Sequence, residues 1–177
     1  MSIESDIKTE IYKHLRSYKT STLSYVKANG WFKSRVENIP LAQLPSVSMW
    51  VANAGPINEE SDRVFEFSMD VLVRGSIINF DIQGSARHGG ITIEDFYADL
   101  DKALFSMIPR EEKTVLGTTS FVKMHPILPD VGDFVRDVKI NQGQFSSETF
   151  NDDFPNLDVI IPIEIRYYKT ISERLLT

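Results

Sequence analysis

The chain has 177 residues, of which 42% are hydrophobic and 25% charged, and it contains no cysteine. This length predicts one domain spanning residues 1–177, since domains commonly hold roughly 100–200 residues. The absence of cysteine excludes disulfides, thiolate metal sites and thiol nucleophiles. The net charge is −6, and residues 1–40 carry seven Lys or Arg against four Asp or Glu. The remainder of the chain is therefore strongly acidic, which argues against a binder of duplex nucleic acid.

Targeting segments are not indicated by the sequence. The first residues show no basic stretch followed by an apolar core, so we expect no secretory signal. No apolar run approaches the ~20 residues that a membrane helix needs, so we expect no membrane partner.

Two helices are predicted from apolar residues at helical spacing. Ile3, Ile7, Ile11 and Leu15 recur every four residues behind Ser2, a good N-cap. The second helix covers Thr92–Ile108, with Thr92 at its N-cap and Pro109 ending it. Both helices are expected to dock on a sheet through their apolar stripes.

The strands of the sheet are predicted from segments in which apolar and polar residues alternate. Ser46–Ala52 is the first, and Asn53–Pro56 is predicted to turn the chain after it. Arg63–Gly75 and Leu157–Lys169 alternate apolar and polar residues, which is typical of antiparallel strands with one buried face. Pro162 cannot donate to a ladder, so we expect a bulge or an edge-like side at that point.

The remaining segments are less regular. Thr114–Met124 predicts one more strand, and residues 76–90 predict a continued strand or an arm followed by a loop. Within the Asp-, Gly- and Pro-rich stretch 126–156, Phe134–Ile140 and Gln144–Phe150 predict a hairpin insert. Together these elements predict an α+β fold, in which a mainly antiparallel, mixed β-sheet is packed by two α-helices and carries an extended loop or hairpin.

Catalytic and metal chemistry is not indicated. His14, His88 and His125 have no second histidine or carboxylate at metal-ligand spacing, and His14 is predicted to be solvated on its helix. No nucleophile elbow or phosphate-binding loop occurs. We therefore predict no enzyme activity, no cofactor and no metal site.

Aromatic residues are unusually frequent in the segments that do not fit a compact core. Either they cover the open sheet face of the same chain or they contact a partner, and we favour a partner. With neighbouring charged residues they give ten candidate protein–protein contacts: Phe80, Asp81, Asp130, Asp133, Phe134, Arg136, Phe145, Phe150, Asp152 and Asp153.

The order of these elements resembles a known family. Five elements carry the resemblance: the amphipathic helix Ile3–Tyr18, the Pro-led strand Leu44–Met49, the long strand Val64–Arg74, the helix Ile93–Ile108 and the closing strand Val159–Tyr168. Their arrangement resembles that of the tail terminator, or tail completion, proteins of tailed bacteriophages and related head-to-tail joining proteins. The resemblance covers most of the chain by order and pattern and rests on no short motif.

The resemblance implies a structural virion protein of the tail or neck, assembled in the host cytoplasm. Such proteins form a homo-oligomeric ring, commonly a hexamer, that caps the tail tube protein and meets the head–tail connector. DNA passes through the lumen without being read. The alternatives are another neck or head-completion ring protein, or a cytoplasmic protein-binding adaptor.

Overall fold

A six-stranded sheet with two α-helices packed on it forms the body of the protein in the computed structural model. The structure describes residues 2–59, 64–78, 91–124, 126, 128–129, 131–145 and 156–170. The helices are α1 (Ile3–Ser17) and α2 (Ile93–Phe105). The strands are β1 (Trp31–Phe32), β2 (Ser46–Glu59), β3 (Val64–Ile78), β4 (Arg110–Val115), β5 (Thr118–Lys123), β6 (Val135–Ile140), β7 (Gln144–Phe145) and β8 (Asn156–Thr170). The predicted α+β class is confirmed.

Both helices begin at the predicted caps. The Ser2 hydroxyl accepts a hydrogen bond from the Ser5 amide at 3.3 Å, and the Thr92 hydroxyl accepts one from the Asp95 amide at 3.1 Å. Among the described residues, no helix is both long and apolar enough to cross a bilayer.

The sheet runs in the order β1-β2-β3-β8-β6, and β7 also pairs with β8. All pairs are antiparallel except β1 with β2. At the centre, β3 and β8 pair without interruption from Val64 and Thr170 to Ile78 and Asn156. The two strands with the clearest alternation are therefore each other's partners.

One face of the sheet packs against the helices and holds the core. Its buried side chains come from alternate positions of the strands, and they meet Ile7, Ile11 and Leu15 of α1 and Phe96 and Leu100 of α2. Burying one large apolar side chain contributes about 1.5–3 kcal/mol, so this single cluster dominates the stability.

Gly75 of β3 lies directly beneath α2. A Cβ at this position would stand 2.7 Å from the Leu100 Cδ1 atom and 3.0 Å from the Phe96 ring. The missing side chain therefore allows the helix to approach the sheet at this point.

The predicted turn at Asn53–Pro56 is wrong, because β2 runs on to Glu59. Its pairing with β3 shifts register between Val51 and Asn53 and again between Pro56 and Asn58. The turn-forming residues are thus accommodated as irregularities in a strand that β3 holds along its length.

The predicted single strand Thr114–Met124 is also wrong. The chain reverses at Leu116 and Gly117, whose φ angles of 51° and 79° are both positive. Positive φ at both central residues is the requirement of a type I′ turn, one of the two common two-residue hairpin turns. As a result β4 and β5 form a separate two-stranded sheet.

The predicted hairpin of Phe134–Ile140 with Gln144–Phe150 is not formed by the described residues, because β6 and β7 both pair with β8. Between them the Asn141 amide donates to the Pro162 oxygen at 2.9 Å. In an antiparallel strand the N and O atoms of one residue face the same neighbour, so the missing N–H of Pro162 falls at the break between β6 and β7. This confirms the edge-like side expected there.

Candidate protein-protein interface

Four of the ten predicted contact residues lie in the described part of the chain. Asp133 and Phe134 lie in the turn just before β6, Arg136 lies in β6, and Phe145 lies in β7. The other six lie outside the described residues, as does most of segment 76–90. These six are Phe80, Asp81, Asp130, Phe150, Asp152 and Asp153.

The four described residues form two groups rather than one patch. Val135, next to Phe134, pairs with Tyr167 of β8, whereas Phe145 pairs with Val159. Eight residues of strand separate these positions, or about 27 Å at ~3.4 Å per residue. Phe134 and Phe145 both remain exposed.

Arg136 is engaged within its own chain. Its guanidinium donates to the Glu66 carboxylate at 2.8 Å and lies 6.0 Å from the centre of the Tyr168 ring. The Glu66 side chain is only 5% exposed, so Arg136 reaches across β8 to neutralise a buried charge.

Phe145 packs on the helix side of the sheet. Its ring meets the Tyr97 ring of α2 edge to face, with centroids 5.5 Å apart. Gly143 makes room for this contact, since a Cβ there would stand 2.5 Å from the Tyr97 ring. Phe145 therefore covers part of its own chain while a large fraction of its surface stays exposed.

Among the described residues, five of the ten large apolar side chains that are exposed lie in or directly after the β4–β5 hairpin, which the sequence pattern did not predict. Every residue from 110 to 124 is exposed. Its apolar members are Val115, Leu116, Phe121, Val122 and Met124, with Leu116 fully exposed and Phe121 exposed by 68%. Its one sign in the sequence is Gly117, a turn-forming residue inside the β-forming stretch Thr114–Val122.

The root of the hairpin is attached to β6. The Lys123 ammonium forms an ion pair with Asp137 and donates to the Val138 oxygen at 2.6 Å. The Asn141 amide donates to the Pro162 oxygen, so the backbone groups of Asn141 face β8. Because this direction alternates from residue to residue, the backbone of Val138 faces away from β8, toward the outer edge of the sheet. The hairpin is therefore fixed to this outer edge.

A long unpaired edge lies on the other side of the same sheet. The two residues of β1 pair only with Val47 and Ser48. Within the part that the structure describes, β2 from Met49 to Glu59 pairs only with β3. No charged residue occurs between Ser46 and Asn58, although charges are a common protection of exposed sheet edges.

A buried polar group stands at one end of the open sheet face. Arg74 is 8% exposed; it donates to the Val36 oxygen and lies 5.8 Å from the centre of the Trp50 ring. Burial lowers the pKa of Arg74, and the nearby Asp158 opposes this effect. Its Nε atom and the Ser46 and Ser48 hydroxyls are buried without a partner among the described residues. Segment 33–37 is held over this end through Arg74.

The prediction that His14 is solvated is wrong. Its Nε2 atom lies 2.9 Å from the Ser106 hydroxyl and 3.0 Å from the Ala103 oxygen, which joins α1 to the end of α2. Burial lowers the pKa of His14, partly offset by the hydrogen bond to Ala103. His88 and His125 lie outside the described residues.

Within the described ranges, no group of three His, Asp or Glu side chains is arranged to hold a metal ion. No family model and no curated protein matches the chain. Two surfaces of the described residues are candidates for contact with a partner: the exposed hairpin at one edge of the sheet and, at the other, the side of β2 that is unpaired in the described part of the chain and has no charged residue from Ser46 to Asn58.

Proposed function

We propose that the protein is a structural virion protein of a tailed bacteriophage, a tail terminator whose copies form a ring on the end of the tail tube and join it to the head connector. The observation that carries this proposal is the exposed β4–β5 hairpin. An isolated two-stranded hairpin is marginally stable in water. This one exposes Phe121 on one face and Val115 and Val122 on the other, so it offers apolar side chains to neighbouring subunits on both faces.

The order of elements supports the same family. The resemblance rests on five elements in a fixed order: a helix, a Pro-led strand, a long strand, a second helix and a closing strand. In the structure these elements follow one another along the chain in that order. The acidic balance fits a lumen through which DNA slides, because each cationic contact to a phosphate adds affinity.

Assembly with tail tubes tests the proposal. Purified protein is added to tubes polymerising from the tail tube protein of the parent phage, and tube lengths and tube ends are measured by electron microscopy. We expect a ring-shaped density at one end and an arrest of tube growth at stoichiometric amounts of the protein. Heat-denatured protein is the control.

Two outcomes contradict the proposal. Unchanged tube lengths with bare tube ends exclude a tail terminator. A ring that binds isolated connector but never tubes favours another neck or head-completion protein instead.

A further inference from the structure

We infer that the β4–β5 hairpin of one copy docks on the unpaired edge of β2 in the next copy and extends its sheet. This inference rests on the proposed function, because it names the contact by which the subunits of the ring associate. Three observations support it: backbone groups of β2 face outward, neither contacting stretch contains a charged residue, and the two surfaces lie at opposite edges of the sheet.

The outward direction of the β2 backbone follows from one hydrogen bond. The Val47 amide donates to the Gly30 oxygen at 2.8 Å, away from β3. Because the direction of the backbone N–H and C=O groups alternates along a strand, those of Val51 also face outward. Beyond the first register shift, the backbone groups of Ala54 and Pro56 face outward as well. The N–H and C=O groups of Val51 and Ala54 therefore face outward at an edge that is unpaired among the described residues.

Pro56 limits the length of this edge. Because it has no N–H, an added strand loses a hydrogen bond there. The available edge thus runs over Val51–Ala54 and ends at Pro56, with the exposed Ile57 side chain beside it. Such an edge takes an extended segment whose backbone supplies the complementary groups.

The hairpin is an occupant of the right kind. Its two strands pair only with each other in the described part of the chain, so each has an outer side with backbone groups available. The nine residues Thr114–Val122 contain no charge, and neither does the edge between Ser46 and Asn58. Pairing of these two stretches therefore buries no charge of their own, which would be costly. The acidic residues of the hairpin, Glu111 and Glu112, lie in β4 opposite Val122 and Phe121, away from the outer side of β5.

The positions of the two surfaces select a second copy of this chain as the occupant. The hairpin is rooted at the β6 edge, whereas β2 belongs to the opposite edge of the same sheet. Two different complementary surfaces at opposite edges produce heterologous association, in which each copy donates a hairpin and accepts one. Association of this kind closes into a ring when the rotation between copies permits.

Two variants separate the donor from the acceptor. Phe121→Asp combined with Leu116→Asp adds charge to the hairpin, and Ala54→Pro removes an outward N–H from the edge. Each variant alone is expected to lose self-association at least tenfold in native mass spectrometry, both in solution and on tail tubes. An equimolar mixture is expected to form a heterodimer and nothing larger, because only one competent contact remains. Ala54→Ser is the matched control for the edge, and circular dichroism checks that every variant is folded.

Cross-linking tests the contact without relying on loss of assembly. Because the chain has no cysteine, copies carrying Leu116→Cys and copies carrying Ala54→Cys are mixed and treated with a short bismaleimide. We expect a heterodimer band that is absent when Thr20→Cys replaces Ala54→Cys.

The outcomes distinguish the two proposals. If the wild type caps tubes as a ring while both variants still do so and the cysteine pair gives no band, the docking contact is wrong and the proposed function stands. If the edge variant is defective only toward the tube protein and not toward other copies, the occupant of the β2 edge is the tube and the inference is overturned. A wild type that associates neither with itself nor with tubes overturns both.

Discussion

The side-chain nitrogen of Lys123 lies 2.6 Å from the backbone oxygen of Val138, and this contact joins the hairpin to the outer edge of the main sheet. The same ammonium forms an ion pair with Asp137. One lysine thus ties a separate two-stranded sheet to the edge strand of the main sheet.

Replacing Lys123 by Met is expected to loosen the hairpin without unfolding the domain. Both partners of the ion pair are partly exposed, so the free energy of unfolding should fall by less than about 1 kcal/mol. Amide hydrogen exchange in residues 110–123 should nevertheless become faster. Lys113→Met is the control, because Lys113 pairs only loosely with Glu111 at 3.9 Å; equal acceleration in both variants would contradict the anchoring role.

Leu116 stores strain at the tip of the hairpin. Its φ of 51° lies in the left-handed region, which costs a bulky residue roughly 1–2 kcal/mol. Leu116→Asn should therefore stabilise the monomeric hairpin by about 1 kcal/mol, seen as slower amide exchange, whereas Gly117→Ala at φ 79° should destabilise it. Faster exchange in the Asn variant would show that the Leu116 side chain supports the hairpin despite its full exposure.

The ion pair of Arg136 with Glu66 is expected to matter more than an exposed pair. Arg136→Met leaves the Glu66 carboxylate buried without this partner and should cost roughly 1–3 kcal/mol in urea unfolding. Adding Glu66→Gln should recover part of this loss, because no charge then remains buried. Strictly additive effects of the two substitutions would argue against coupling between them.

Gly75→Ala is expected to destabilise the domain by roughly 1–3 kcal/mol, because the new Cβ would press on Leu100 and Phe96 in the core. Gly55→Ala is the matched control, since a Cβ at Gly55 meets no atom within 4 Å. Thermal unfolding of the two variants gives the comparison. If both shift the midpoint equally, the close approach of α2 to β3 is not the cause.

Acid is expected to weaken the contact between α1 and α2 through His14. The pKa of His14 is lowered in the folded protein, so the unfolded chain binds the proton more readily than the folded one. Above the ordinary pKa of 6.5 the ring is neutral in both states, so His14 takes no stability from the folded protein. As the pH falls from 6.5 through the lowered pKa of the folded protein, the unfolded chain takes up the proton first and the free energy of unfolding decreases. His14→Gln should flatten the dependence of unfolding free energy on pH below 6.5; an unchanged slope would place the titration elsewhere.

Local pattern was sufficient for several elements. Ser2 and Thr92 cap helices because a hydroxyl before an apolar period satisfies the first backbone amides wherever it occurs. β3 and β8 alternate because one face of each strand is buried along its length. These features depend on neighbours within a few residues, and the predictions based on them are confirmed.

Pairing over long distances decided the rest. Asn53–Pro56 has the composition of a turn but remains part of β2, because this segment pairs with β3. β6 and β7 do not form a hairpin, because each pairs with β8, on either side of Pro162. Leu116 gives no local sign of a left-handed conformation, so the hairpin remained hidden in the sequence.

The sequence by itself therefore determined the class of the fold, its caps and its two central strands, since these follow from short-range periodicity. Only the tertiary structure decided that the hairpin is rooted at the edge of the sheet opposite to β2, because strand order is set by packing between residues far apart in the chain.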